Sequence, residues 1–166
     1  MVRVYVPATL AMLQRLVADG SMHARSGTAF AVTPTLRESY AEGADDELAE
    51  VALREAALAS LRLMAGEPAG DLPPRRVVLE AEVSGATARP DLDDAVVRLA
   101  GPIGLADVVA AYVDNAAAEA AVVAALEVVD SADLGDEDAE LTVGDAQDHD
   151  LAWYATQELP FLLELL

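Results

Sequence analysis

Apolar and polar positions alternate most clearly at the start of the chain, where Val2, Val4 and Val6 are separated by Arg3 and Tyr5. A two-residue period of this kind predicts a strand with one buried face. Pro7 leads to Thr9, a residue suited to capping the helix that Leu10, Leu13, Leu16 and Val17 trace on one stripe, and Gly20 supplies its stop. After a polar loop over Ser21 to Gly27, the residues Thr28, Phe30 and Val32 predict a second strand. Strand, helix and strand form the expected βαβ unit, right-handed if the two strands are parallel.

Thr35 and Glu38 have the spacing of a capping box for a short helix through Tyr40. The longest helix is expected from Asp45 or Asp46 to about Ala65, with Leu48, Ala52, Ala56, Ala59 and Leu63 on its inner side and Gly66 and Pro68 at its end. Glu67 to Pro74 reads as a linker too short to separate two domains. Val77, Leu79, Ala81 and Val83 alternate with Arg76, Val78, Glu80 and Glu82, which predicts a strand with one wet face. Ser84 to Asp94 reads as a polar loop and Ala95 to Ala100 as a strand. Leu105 to Val108 reads either as a helical turn before an extended Val109 to Val113, or as the start of a continuous helix to Tyr112. Asp114 or Asn115 then caps a helix over Ala116 to Val129, with Ala120, Val123, Ala124 and Leu126 turned inward. Asp130 to Asp150 is densely acidic and expected to be exposed. Leu151 to Ala155 reads as a last strand, and Thr156 as the cap of a terminal helix or turn whose Phe161 to Leu166 are too apolar to stand free in water. The sum is one α+β domain over residues 1–166, with a mixed sheet of about five to six strands covered mainly on one face by the Asp46 to Ala65 and Ala116 to Val129 helices.

Composition narrows what such a domain does. The hydrophobic share is 54%, carried by Ala, Val and Leu, which is enough to drive folding despite the charge. Ten arginines and no lysine face thirty acidic residues, for a net charge of −20, so phosphate backbones and anionic membranes are repelled. The absence of lysine removes Schiff-base chemistry and the P-loop, and the absence of cysteine removes thiol nucleophiles, iron–sulfur clusters and thiolate zinc sites. No run reaches the roughly 18 apolar residues of a membrane span, and Arg3 and Tyr5 interrupt the start of the chain, so a cytoplasmic location is expected.

Candidate chemistry is sparse. Asp133, Asp136, Glu137, Asp138 and Glu140 do not follow the oxygen ladder of an EF-hand and read as a solvated acidic loop. Asp145 and His149 have the i, i+4 spacing of a pair on one helix face, but Asp148 and Asp150 flank His149 directly and cannot join it at one point. Trp153 and Tyr154 either line a pocket with Thr156 and Glu158, or divide their roles, with the indole anchored in the core and the Tyr154 hydroxyl at the surface. No Gly-x-Ser-x-Gly elbow is present, and no catalytic, metal or cofactor site is expected. The favoured reading is a non-catalytic protein that meets a protein partner or a second copy of itself through its apolar tail. The residues Asp145, His149, Trp153, Tyr154, Glu158, Phe161 and Leu162 are its candidate contacts. The alternative is a metal-dependent hydrolase or small-ligand enzyme using Asp145, His149 and Glu158.

The stretches Val2 to Thr9, Ala29 to Pro34, Leu99-Ala100-Gly101-Pro102 and His149 to Leu159 (HDLAWYATQEL) resemble a small family of uncharacterised proteins from high-GC bacteria. The resemblance covers most of the chain and implies no activity, cofactor or mapped site.

Overall fold

The opening strand is the middle of the molecule. In the computed structural model, which describes residues 1–68 and 70–166, β1 (Val2–Ala8) is followed by α1 (Leu10–Asp19), β2 (Ser21–Met22), β3 (Thr28–Phe30), α2 (Pro34–Ser39) and α3 (Asp45–Gly66). Then come β4 (Val77–Val83), β5 (Ala86–Ala88), β6 (Val96–Leu99), β7 (Ile103–Gly104), β8 (Val108–Val113), α4 (Glu119–Asp133), α5 (Glu137–Gln147), β9 (Ala152–Ala155) and α6 (Leu159–Glu164). Seven strands form one sheet in the order β5-β6-β3-β1-β4-β8-β9, and β2 with β7 makes a separate ribbon. The expected α+β class holds. Ala69, inside the expected linker, lies outside the described residues.

All recorded pairings are antiparallel, including β1 with β3, so the foreseen parallel βαβ unit is absent. Beyond its exposed first residues, Val2 and Arg3, β1 has no wet side. Val4, Val6 and Ala8 face a core shared with Leu10, Leu13 and Leu16 of α1 and Leu159 and Leu162 of α6. Tyr5 faces a second core with Leu48, Ala52 and Ala56 of α3. Helices therefore cover both faces of the sheet. A third core, built by Leu61 of α3 with Val122, Ala125 and Val129 of α4 and Val143 and Ala146 of α5, adds an outer helical layer.

Local chemistry explains the element boundaries. The Thr9 hydroxyl accepts the Met12 N–H at 3.2 Å, and Gly20 closes α1 at φ 83°, a conformation glycine adopts without strain. The cap of α2 is Thr33 rather than Thr35: its hydroxyl accepts the Leu36 N–H at 3.1 Å, and Pro34 occupies the first helical position. Leu105 to Asp107 is a short turn before β8, which settles that segment as extended. On α4 the inward residues are Val122, Ala125 and Val129, while Ala120, Val123 and Ala124 are exposed. Asn115 caps a turn over Ala116–Ala118 first, and an Ala/Val helix that is apolar nearly all round offers little to mark its buried face. The acidic segment is also not a loop, because α5 occupies it and buries Ala139, Val143 and Ala146. The polar stretch after β4 likewise contains β5, paired with β6. No helix among the described residues is long and apolar enough to cross a membrane.

One buried hydroxyl ties the sheet to α3. Ser60 is fully buried, donates to the Ala8 carbonyl at 2.7 Å and accepts the Val77 N–H at 3.0 Å, joining the end of β1 to the start of β4. Ser60→Ala leaves both backbone groups without that partner, and the expected loss is about 1–3 kcal/mol in urea unfolding. Faster hydrogen exchange at the Val77 amide should accompany it.

Candidate functional site

Arg76 precedes β4 and Asp114 follows β8, one step beyond the Val77 and Val113 pair of the sheet. Their backbones continue the ladder, with the Asp114 N–H donating to the Arg76 carbonyl at 3.1 Å. The side chains form an ion pair that is 1% and 0% exposed. Arg76 Nε and Nη2 donate to the two Asp114 carboxylate oxygens at 2.8 Å, Nη1 donates to Gln147 Oε1 at 2.9 Å, and Nη2 also donates to the His149 carbonyl at 2.8 Å. Arg76, expected on a wet strand face, is thus the centre of a buried network that fixes the end of α5 and the turn bearing His149. Gln147 passes the connection to α3 by donating to the Arg54 carbonyl at 3.0 Å.

Above this pair lies a cleft of about 320 Å³, lined by His149 and Asp150 together with Glu50, Arg54 and Tyr112. His149 faces that cleft half-buried, but the other members of its expected constellation are elsewhere. Asp145 is exposed on α5, and Glu158 turns back to accept the Ala155 N–H at 3.3 Å. Among the described residues no three His, Asp or Glu side chains converge as metal ligands. The structure does not bring Asp145, His149 and Glu158 together at one point.

A second polar cluster lies on the same sheet face. The Glu80 carboxylate accepts the Tyr112 hydroxyl at 2.8 Å and an Arg3 N–H, while Arg3 also donates to Glu82 at 2.6 Å. Glu80 is nearly buried, so it is held by partners and not by water. Burial first, and then the hydrogen bond and charge of Glu80, push the Tyr112 phenol well above its ordinary value of 10.0; burial and Glu80 raise Tyr5 as well.

The chain's C-terminal segment reverses the expected roles of its aromatic residues. Trp153 is 57% exposed, whereas Tyr154 is half-buried against the core beneath α1 and α6. Neighbours in a strand point to opposite faces, and Trp153 shares the face of its cross-strand partner Tyr112, at the sheet edge beyond the apolar cover of α3. In α6, Leu159 and Leu162 are buried while Phe161 is 67% exposed. The tail is docked, as its composition required, and presents Phe161 outward.

The model of a family of unknown function, DUF6912, matches residues 2–163. The chain belongs to this family. No curated protein and no solved structure gave a match. The DUF6912 match runs from β1 into α6, so the buried pair, the His149 cleft and the C-terminal face all lie within it. One further feature of the DUF6912 chain escaped sequence reading: a cleft of about 490 Å³ between α1, β2 and the end of α3, lined by Arg15, His23 and Arg25. Arg15 lies on α1 and His23 and Arg25 in the segment after it, and no motif joins them.

Breaking the buried pair from one side strands a charge. Arg76→Met and Asp114→Asn are each expected to lower unfolding free energy by about 3–5 kcal/mol, whereas Arg76→Met with Asp114→Leu recovers much of the loss; urea titration checks both. The phenols give a second test. Their folded values lie above the unfolded value of 10.0, so their contribution to stability is complete below it and is lost as pH rises through the folded values. Ultraviolet titration should show phenolate appearing above the range of free tyrosine, with Tyr112→Phe removing part of that late signal.

Proposed function

We propose that the protein is a non-catalytic binding protein that recognises another protein through the face presented by its C-terminal segment, in a cytoplasmic setting. The observation that carries this reading is Trp153, 57% exposed on a strand whose neighbouring residue Tyr154 is packed into the core. An aromatic side chain held on a rigid support loses little freedom on binding, which is why indoles recur as interface anchors. Phe161 is a second exposed ring, on a helix fastened by Leu159 and Leu162.

The charge favours one kind of partner. Two copies that each carry −20 repel, whereas a partner with an apolar centre and a cationic rim is attracted over distance and then covers the indole. The contact residue is Trp153, on the sheet face it shares with Tyr112, whereas Phe161 stands on α6, which packs with α1 on the other face. Tyr154 and Leu162 anchor the segment in the core on the far side, Glu158 holds the Ala155 amide, and Asp145 and His149 lie outside the contact.

Removing Phe161 to Leu166 is unsuitable as a test, since it deletes buried Leu162 with the exposed residues. A photo-crosslinking residue placed at Trp153 in the full chain, in the cells that make it, keeps the core intact. The expected result is a discrete adduct from Trp153 that weakens with added salt and is absent from Leu92, an exposed site near the opposite edge of the sheet. An adduct of twice the chain's mass replaces the cationic partner with a second copy, and the same adduct from Leu92 sinks the proposal.

A further inference from the structure

The cleft between α1, β2 and the end of α3 gathers two exposed arginines that have no ion-pair partner. Arg3, Arg37, Arg62, Arg75, Arg76 and Arg89 each form an ion pair with a carboxylate. Of the other four, Arg54 donates to the Gln147 carbonyl at 3.0 Å and Arg98 has a buried Nε without a partner, while among the described residues Arg15 and Arg25 form neither an ion pair nor a side-chain hydrogen bond, and both line this one cleft with His23. Asp19 is one helical turn from Arg15 and remains unpaired with it. Glu67, the other acidic residue of the lining, is engaged by the Thr9 hydroxyl at 2.6 Å. The floor is apolar and adaptable, with Met12, Met22 and Leu63.

The loop that carries Arg25 has an uncommon backbone. Ser26 stands at φ 57°, the sole non-glycine residue with positive φ among those described, and Gly27 follows at φ 68°. Side chains other than glycine rarely hold that conformation, and where they do the surroundings impose it, often at binding sites. Here the turn places Arg25 at the cleft across from α1.

We infer that this cleft binds a small organic anion, a phosphate monoester or carboxylate joined to an apolar body, with Arg15 and Arg25 holding the anionic head and the two methionines and Leu63 seating the body. The volume, about 490 Å³, suits a small molecule. Guanidinium is the side chain best shaped for either head group. The surrounding negative surface turns away long polyanions while leaving room for a compact ligand.

The test is an amide NMR titration of the full chain with phenyl phosphate, with octanoate, and with inorganic phosphate as the bare head group. Saturable shifts are expected at Ser21 to Gly27 and along the second half of α1. The preferred head group is decided by which of the first two ligands saturates earlier. Arg15→Gln and Arg25→Gln each weaken that ligand about tenfold or more; both positions are exposed, and unchanged shifts elsewhere in the spectrum report an intact fold. Non-saturating shifts, or equal binding by the Arg15→Gln, Arg25→Gln double variant, overturn the inference. Inorganic phosphate binding as tightly as phenyl phosphate marks an adventitious ion only and overturns it too.

Discussion

An arginine and an aspartate with almost no contact with water, Arg76 and Asp114, set the terms on which the rest of this molecule is assembled. Withdrawing both charges from solvent is costly, and attraction between them offsets the cost only if the remaining donors and acceptors are also satisfied. That condition recruits distant chain. Gln147 at the end of α5 and the carbonyl of His149 complete the guanidinium's partners, so the outer helical layer is positioned by the same group that extends the β4 and β8 ladder. A purely apolar contact at this point would tolerate sliding of α5 along the sheet; directional bonds from one planar fork do not.

Scarce cations have a broader role in this chain. The pairs Arg3 with Glu80 and Glu82, Arg62 with Asp133, and Arg75 with Glu119 all join segments far apart in sequence. Exposed pairs contribute little individually. Their common effect is to connect β1 to β4, and α3 and the approach to β4 to α4, while the large acidic excess stays on the outside. In such a molecule exposed arginines with neither a carboxylate nor a hydrogen-bond partner, Arg15 and Arg25, stand out as cations free to meet a ligand.

Much of the fold was legible where period and cap agreed. Val2 to Val6, Thr9 and Gly20 defined β1 and α1, and Asp45 to Ala65 emerged as α3 because Leu48, Ala52 and Ala56 share one face. Antiparallel pairing left no such local mark, since the partner of β1 is chosen by the whole sheet. Alternation also misled at β4: Arg76 and Glu80 looked solvated, yet they are buried through partners at Asp114, Arg3 and Tyr112, contributed by other parts of the chain. The α5 stripe of Ala139, Val143 and Ala146 was present in the sequence but obscured by the acids between its members. Of the candidate contacts, Trp153 and Tyr154 were found and their orientations interchanged, because which face of β9 lies beyond α3 is decided by tertiary packing. Arg15, His23 and Arg25 carried no joint signal at all.

The sheet ends in two short strands, β5 and β9, and the second is closed in a particular way: the Glu158 carboxylate lies across the Ala155 amide. Unanswered amides along an outer strand are what invite a foreign strand to continue a sheet. With this one occupied by the chain's own side chain, and with β5 only three residues long, each rim offers a short template for another backbone. Recognition at the β9 rim then leans on side chains, and strand exchange, the ordinary route by which β-proteins merge into polymers, finds fewer free amides to start from.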